Sequence, residues 1–259
     1  MQVYYQPSLR NNLKIQFPGV EKLQHNYSNL CQDLFVLSVL NGKYNGTYLE
    51  VGGELPIIGN NTYLLEEMYG WRGVSVEIES KYVPMWAQTR KNPLYNQDAL
   101  TTDYDDLLSS NNLGPIIDYF SCDIEPQDKT LEALMKVNHD KYRFRVITFE
   151  HDHYNGGEGP RVREENRKFL SSLGYELIVG DVSHQGEMIE DWWVAPELVD
   201  SEIVKKLKMA ATWNADESIY INPVSAAIKN QKIPQTNQQS IYGISQIQRQ
   251  LDQGQISLL

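Results

Sequence analysis

TYLEVGGELPIIGNNTYLLEEMYGWRGVSVEIE, residues 47–79, is the stretch that decides the fold. Thr47-Tyr48-Leu49-Glu50-Val51 is a short apolar run that stops at Gly52-Gly53. After a loop over residues 54–60, Asn61 to Met68 has helical character, and Tyr69-Gly70 breaks it. A second apolar run, Gly73 to Glu77, ends on an acid. Strand, glycine turn, helix, strand, acid is the layout of a nucleotide-binding βαβ half. A turn without side chains lets backbone approach a ligand, and a terminal carboxylate can accept from two ribose hydroxyls. The spacing from Gly52 to Glu77 is close to, or slightly above, the expected ~20 residues. Two adjacent glycines are not G-x-G-x-x-G, however, and an ordinary α/β turn explains this stretch equally well.

On the N-terminal side, residues 1–27 are polar and aromatic with breakers at Pro7 and Pro18-Gly19, and read as an arm over the domain. Ser28 to Asn41 carries Leu30, Leu34, Leu37 and Val39-Leu40 at near-helical spacing, with Ser28 as N-cap and Asn41-Gly42 as the stop. On the C-terminal side, Lys81 to Arg90 reads as a helix and Tyr95 to Leu100 as a third strand. Ile116 to Ser121 makes a fourth strand, Thr130 to Val137 a helix, and Phe144 to Phe149 a fifth strand. Arg161 to Leu173 is an amphipathic helix closed by Gly174, followed by strands at Tyr175 to Val179 and Trp192 to Ala195 joined by a polar loop. This alternation predicts a Rossmann-like, doubly wound α/β sheet of about seven mostly parallel strands over residues 28–221.

Residues 222–259 form a polar tail rich in Gln and Asn. Within it Ile241, Ile244, Ile247 and Leu251 make a narrow helical stripe, suited to docking on its own domain or to self-association.

The 259 residues fit one large domain with appendages. A hydrophobic share of 41% supports a core, and a formal net charge of −11 argues against nucleic acid while suiting a cationic ligand. Cys31 and Cys122 lie in apolar surroundings and read as reduced thiols. With no apolar run of membrane-spanning length and no signal pattern at the N-terminus, the expectation is a soluble cytoplasmic protein.

In doubly wound sheets ligands bind at the carboxyl ends of the strands. Here those ends present Gly52-Gly53, Glu77, Asp98-Ala99, Asp123 with Glu125, and Glu150-His151-Asp152-His153. Asp98-Ala99 can hydrogen-bond an adenine amino group and leave room for the ring, or simply end a strand.

SNLCQDLFVL, residues 28–37, resembles the S-Q-x-x-Q-D-L-F-V segment ahead of the first strand in FkbM-type methyltransferases. YLEVGGELPIIGNNTYLLE resembles that family's V-x-I-G-A-x-x-G-x-x-x-S-N-T-Y-x-L-E, GWRGVSVE its G-W-x-G-x-x-I-E, and FSCDIEP its L-S-x-D-x-E-G. The likeness runs in order over about residues 28–195. It implies S-adenosylmethionine as cofactor and O-methylation of a sugar or polyketide-like acceptor. Carried over by position, Gly52 and Gly53 lie against the methionine part, with Glu50 just ahead of them in the cofactor-binding set. Asn61 opens the following helix, Glu77 holds the ribose, Asp98 with Ala99 the adenine, and Asp123 sits near the transfer centre. Leu55 and Pro56 stand where the pattern has Asp and Gly, which leaves the path of that loop open.

A hydroxyl acceptor must lose its proton. His151 is the first choice of base and Asp123 its rival; His151 could equally cap its strand. Asp123, Glu125, Glu150, Asp152 and His153 are alternatively a ligand set for Mg²⁺ or Mn²⁺. Trp192-Trp193 reads as a core seal ahead of a sugar-stacking surface, and residues 156–160 as a lid or a plain connection. Two rivals stand beside the methyltransferase reading. One is an NAD-type enzyme, disfavoured by the missing G-x-G-x-x-G; the other is a non-catalytic binding or assembly protein that keeps the fold.

Overall fold

The structure, a computed structural model, describes residues 17–23, 26–184 and 187–212. The tail at 222–259, its apolar stripe and most of the arm lie outside the described residues. Of the arm, Phe17, Val20 and Leu23 are buried in the core.

Seven strands form one sheet: β1 (Thr47–Val51), β2 (Arg72–Glu77), β3 (Leu94–Asn96), β4 (Ile116–Cys122), β5 (Arg143–Glu150), β6 (Glu176–His184) and β7 (Glu187–Val194). Their order is β3-β2-β1-β4-β5-β7-β6. β1 to β5 run parallel, and β7 is antiparallel to both β5 and β6. This is the Rossmann-like, mostly parallel α/β sheet of seven strands expected from the alternation of elements. The strand order reverses between β1 and β4, so a crevice opens there at the carboxyl ends.

Among the described residues, seven α-helices flank the sheet: α1 (Gln32–Val39), α2 (Tyr63–Tyr69), α3 (Val83–Thr89), α4 (Tyr104–Ser110), α5 (Gln127–Lys136), α6 (Gly159–Ser172) and α7 (Ser201–Thr212). Strand side chains alternate between the two faces, and the two hydrophobic clusters follow that alternation. Tyr48, Tyr119, Val146 and Trp192 pack on the face of α1 and α2; Leu49, Phe120, Ile147 and Trp193 pack on the face of α4, α5 and α6. Trp192 and Trp193 are thus core residues on opposite faces, and Trp192 lies 4.5 Å from the Phe35 ring. Cys31 and Cys122 are buried free thiols.

α1 is shorter than its pattern. Ser28 does not cap it: Cys31, at φ 69, precedes the helix instead. The Asp33 carboxylate accepts from the Tyr27, Ser28 and Leu34 amides and the Ser28 hydroxyl, knotting the segment ahead of the helix. The expected polar loop between the last two strands is mostly strand, because Arg163 and Arg167 of α6 neutralise Asp181 and Asp191 there. No helix among the described residues is long and apolar enough to cross a membrane.

Candidate functional site

Register builds the site. Val76, Val51, Cys122 and Phe149 are aligned across β2, β1, β4 and β5. One residue further on, Glu77, Gly52, Asp123 and Glu150 fall level at the mouth of the crevice. They line a single cavity of about 580 Å³ together with Glu50, Gly53, Asn61, Asp98 and Ala99. All eight residues expected to bind cofactor therefore share one cleft.

Gly52 is required for a reason the sequence did not show. At φ 89 a Cβ there would lie 1.6 Å from the Asp123 carbonyl oxygen, so the glycine admits the chain's own backbone. The Gly52 amide donates to the Val76 carbonyl (3.0 Å) and the Asp123 amide to the Val51 carbonyl (2.9 Å), closing the turn onto both neighbours. At Gly53 a Cβ would sit 3.0 Å from Cζ2 of Trp86.

Asn60, not Asn61, opens α2: its Oδ1 accepts from the Thr62 (3.0 Å) and Tyr63 (2.8 Å) amides. Asn61 instead turns inward, where its Nδ2 donates to Ser121 Oγ at 2.9 Å. Its Oδ1 is buried without a partner. An acceptor in that state can take a donor from a ligand or from water.

The loop over residues 54–60, left open by Leu55 and Pro56, is fixed by two residues that sequence reasoning missed. Trp86 Nε1 donates to the Glu54 carbonyl at 2.8 Å, and Arg90 donates to the Pro56 carbonyl and to Asn60 Oδ1, both at 2.9 Å. A lone arginine at the end of a short helix looks like an ordinary helix terminus, so no sequence signal marked it.

Each acid in the cleft has a distinct setting. Glu50 accepts from Ser75 Oγ (2.6 Å) and Thr62 Oγ1 (3.1 Å); burial pushes its carboxyl above the usual range, against the pull of Arg90. Glu77 accepts from the Glu54 (2.9 Å) and Glu79 (2.7 Å) amides, one on each oxygen, which leaves both oxygens able to accept again. β3 ends at Asn96, short of its expected limit, and Asp98 begins a turn. One carboxylate oxygen of Asp98 accepts from the Leu100 amide at 2.8 Å, while Ala99 is buried against the cleft wall.

At the far end stand Asp123, Glu150 and Glu125. Burial raises Asp123, and burial with the charge of Asp123 raises Glu150 well above the carboxylate range. Glu125 is pushed up to about 7 by burial and by its contact with Asp152. Eight of the lining residues are Asp or Glu, against Lys129 as the one cation.

His151 departs from expectation. Alternation along β5 sends Glu150 to the cleft and His151 to the opposite face, beneath α6. It is fully buried and does not line the cleft. Nδ1 accepts from the His153 amide at 3.2 Å, which places the ring proton on Nε2, 3.5 Å from Asp191 Oδ1. Arg167 bridges Asp191 and Asp181 and, against the burial that opposes it, holds Asp191 down at about 2. His151 is thereby part of a buried charge cluster, out of reach of a substrate in the cleft.

The five-residue metal set is also not assembled. Asp123, Glu125 and Glu150 face the cleft, whereas Asp152 and His153 do not line it and Asp152 accepts from Gln127 Nε2 at 3.3 Å. Among the described residues, the group whose donor atoms lie within 4.8 Å of one another is His151, Asp181 and Asp191. Two arginine side chains already occupy the carboxylates of that group. Residues 156–160 do not line the cleft; 156–158 end the connection from β5, and Gly159 and Pro160 open α6.

No protein-family model matches the chain, and no curated protein is significantly similar to it in sequence. Among solved structures, it is similar to a putative rRNA-methylase from Clostridium thermocellum (14% identity, 66% of this chain and 97% of that one, TM-score 0.46). It is also similar to an O-methyltransferase from Bacillus cereus in complex with SAH (16%, 72% and 90%, TM-score 0.45). A third is Aeropyrum pernix fibrillarin with natively bound S-adenosyl-L-methionine (16%, 64% and 74%, TM-score 0.44).

Proposed function

We propose that this chain is an S-adenosylmethionine-dependent O-methyltransferase of FkbM type, acting on a hydroxyl of a sugar or similar small acceptor. The observation that carries the reading is the convergence of Gly52, Asn61, Glu77 and Asp98 on one acidic cleft at the point where strand order reverses. The donor set fits the cofactor. Asn61 Oδ1, buried and unpartnered, suits the ammonium of the methionine part; Glu77 suits the ribose hydroxyls, and the free oxygen of Asp98 the adenine amino group. When bound, the cofactor supplies a methyl group on a positively charged sulfur, and that charge is lost on transfer.

The chain's own part is alignment and proton removal. Orientation of reacting groups can supply on the order of 7–11 kcal/mol of a barrier. Asp123 takes the acceptor's proton in this reading, since it stands in the cleft and His151 does not. A positioned base of this kind contributes roughly 10²–10⁴-fold.

Thermal melting with S-adenosylhomocysteine and, separately, NAD tests the proposal. At a hundredfold excess over Kd a ligand adds about 2.7 kcal/mol to stability, so the former should raise Tm by several degrees. A shift with NAD alone would overturn the methyltransferase reading in favour of a dinucleotide enzyme.

A further inference from the structure

The cleft wall between β1 and α2 is irregular chain, residues 54–60, and five of its residues (Glu54, Leu55, Ile58, Gly59 and Asn60) line the cavity. Such a segment holds no shape of its own, because it has no ladder of backbone hydrogen bonds. Its anchors come from elsewhere. The Glu54 amide donates to Glu77 and the Gly59 amide to the Tyr27 carbonyl. Between these two, the carbonyls of Glu54 and Pro56 and the side chain of Asn60 are held from α3 and its end, by Trp86 and Arg90.

The two side chains work as a unit. The Arg90 guanidinium lies 4.3 Å from the centre of the Trp86 ring, a stacking distance. Its other nitrogens donate to Glu66 Oε2 (2.8 Å), Thr62 Oγ1 (2.9 Å) and Tyr48 OH (3.1 Å). Thr62 in turn donates to Glu50. One planar, permanently charged fork thus joins the loop, the start of α2 and β1, and a lysine could not reproduce that geometry.

We propose that Trp86 and Arg90 are positioning residues that clamp the 54–60 loop into the shape required for cofactor binding, acting through Glu54, Pro56 and Asn60. The cofactor part of this statement rests on the methyltransferase reading; the clamp itself does not.

The experiment uses the full chain in four forms: wild type, Trp86→Phe, Arg90→Lys and a control, Arg143→Lys. Arg143 also stacks on an aromatic ring (3.8 Å from the Tyr175 centre) and binds Glu197 at 2.7 Å, but it touches nothing in the loop. Hydrogen exchange of residues 54–60 is followed without ligand, well below each Tm. Exchange there is expected to quicken about 3- to 10-fold in Trp86→Phe, the factor carried by one lost hydrogen bond. A larger rise is expected in Arg90→Lys, and none in Arg143→Lys.

S-adenosylhomocysteine is then titrated calorimetrically. Its Kd should weaken by about 3- to 10-fold in Trp86→Phe, following the same lost bond, and stay unchanged in the Arg143 control despite a lower Tm. Loop exchange equal to wild type in Trp86→Phe overturns the clamp. Quickened exchange with an unchanged Kd overturns its role in binding. If wild type itself does not bind S-adenosylhomocysteine, the cofactor reading fails while the exchange result still decides the clamp. Should Arg90→Lys not fold, Trp86→Phe alone decides.

Discussion

Gly52→Ala is the sharpest test of how the cleft is built. The new methyl carbon would start 1.6 Å from the Asp123 carbonyl oxygen, so the end of β4 must retreat by more than an ångström. That movement pulls on the bond between the Asp123 amide and the Val51 carbonyl, now 2.9 Å. A residue with a side chain also pays about 1–2 kcal/mol for left-handed backbone, and Gly52 sits at φ 89. One lost hydrogen bond adds about 0.5–1.5 kcal/mol. Together these give about 2–3 kcal/mol, which for a chain of this size lowers Tm by roughly 5–10 °C. Urea titration would give the free energy, and calorimetry with S-adenosylhomocysteine would show lost binding, because Asp123 and Gly52 both line the cleft. Gly53→Ala is the comparison: its Cβ meets side chains alone, the edge of the Trp86 ring at 3.0 Å with Leu94 and Ser75 beyond, and a cost of about 1 kcal/mol or less is expected. A Gly52→Ala protein that melts within a degree or two of wild type and binds normally would refute this account of the turn.

Glu77→Gln should weaken S-adenosylhomocysteine binding by about 10- to 100-fold, the range for hydrogen bonds to a charged group; an unchanged Kd would remove Glu77 from the ligand site. Asp123→Asn is expected to bind that ligand yet lose roughly 10²–10⁴-fold in methyl transfer to glycans from labelled cofactor, and retained transfer would exclude it as base. His151→Gln should lower Tm and leave the Kd within about twofold, since the side chain is sealed under α6; lost binding would contradict that placement. Glu190 carries a pH signature: burial lifts its carboxyl to about 8, opposed by the bond it accepts from Trp192 Nε1 at 2.6 Å. The folded chain then holds a proton that the unfolded chain releases, so its stabilising contribution is complete below about pH 4.3 and declines as pH rises toward 8. Glu190→Gln keeps the acceptor without the charge, and its Tm relative to wild type should rise between pH 5 and pH 8; a parallel pair of curves would refute the shift.

Much of the frame was legible because it is written in short apolar runs that stop at glycines or acids. β1 matched its apolar run, and β2, β4 and β5 did so to within a residue or two, and the residues at their carboxyl ends, Gly52, Glu77, Asp123 and Glu150, do meet in the cleft. What escaped depends on contacts far apart in sequence. The segment at 180–191 looks like a loop until Arg163 and Arg167 are known to neutralise its acids. Arg90 finds partners at Tyr48, Pro56, Asn60, Thr62 and Glu66, none of which its neighbours in sequence announce. His151 was misplaced for a local reason: one step beyond Glu150 on an extended chain is the other side of the sheet. The glycine turn has a second cause that the sequence does not announce, the approach of the Asp123 carbonyl to Gly52.

The straight row through Val76, Val51, Cys122 and Phe149 works as a ruler. Deleting or inserting one residue ahead of it in any of these strands would exchange the face on which the next side chain emerges. In β4 that would offer Cys122 or Ile124 where Asp123 now stands. A length change beyond the ruled edge keeps this alternation, although the 54–60 connection is itself held in place by Trp86 and Arg90. The strands themselves are confined to replacements that keep count.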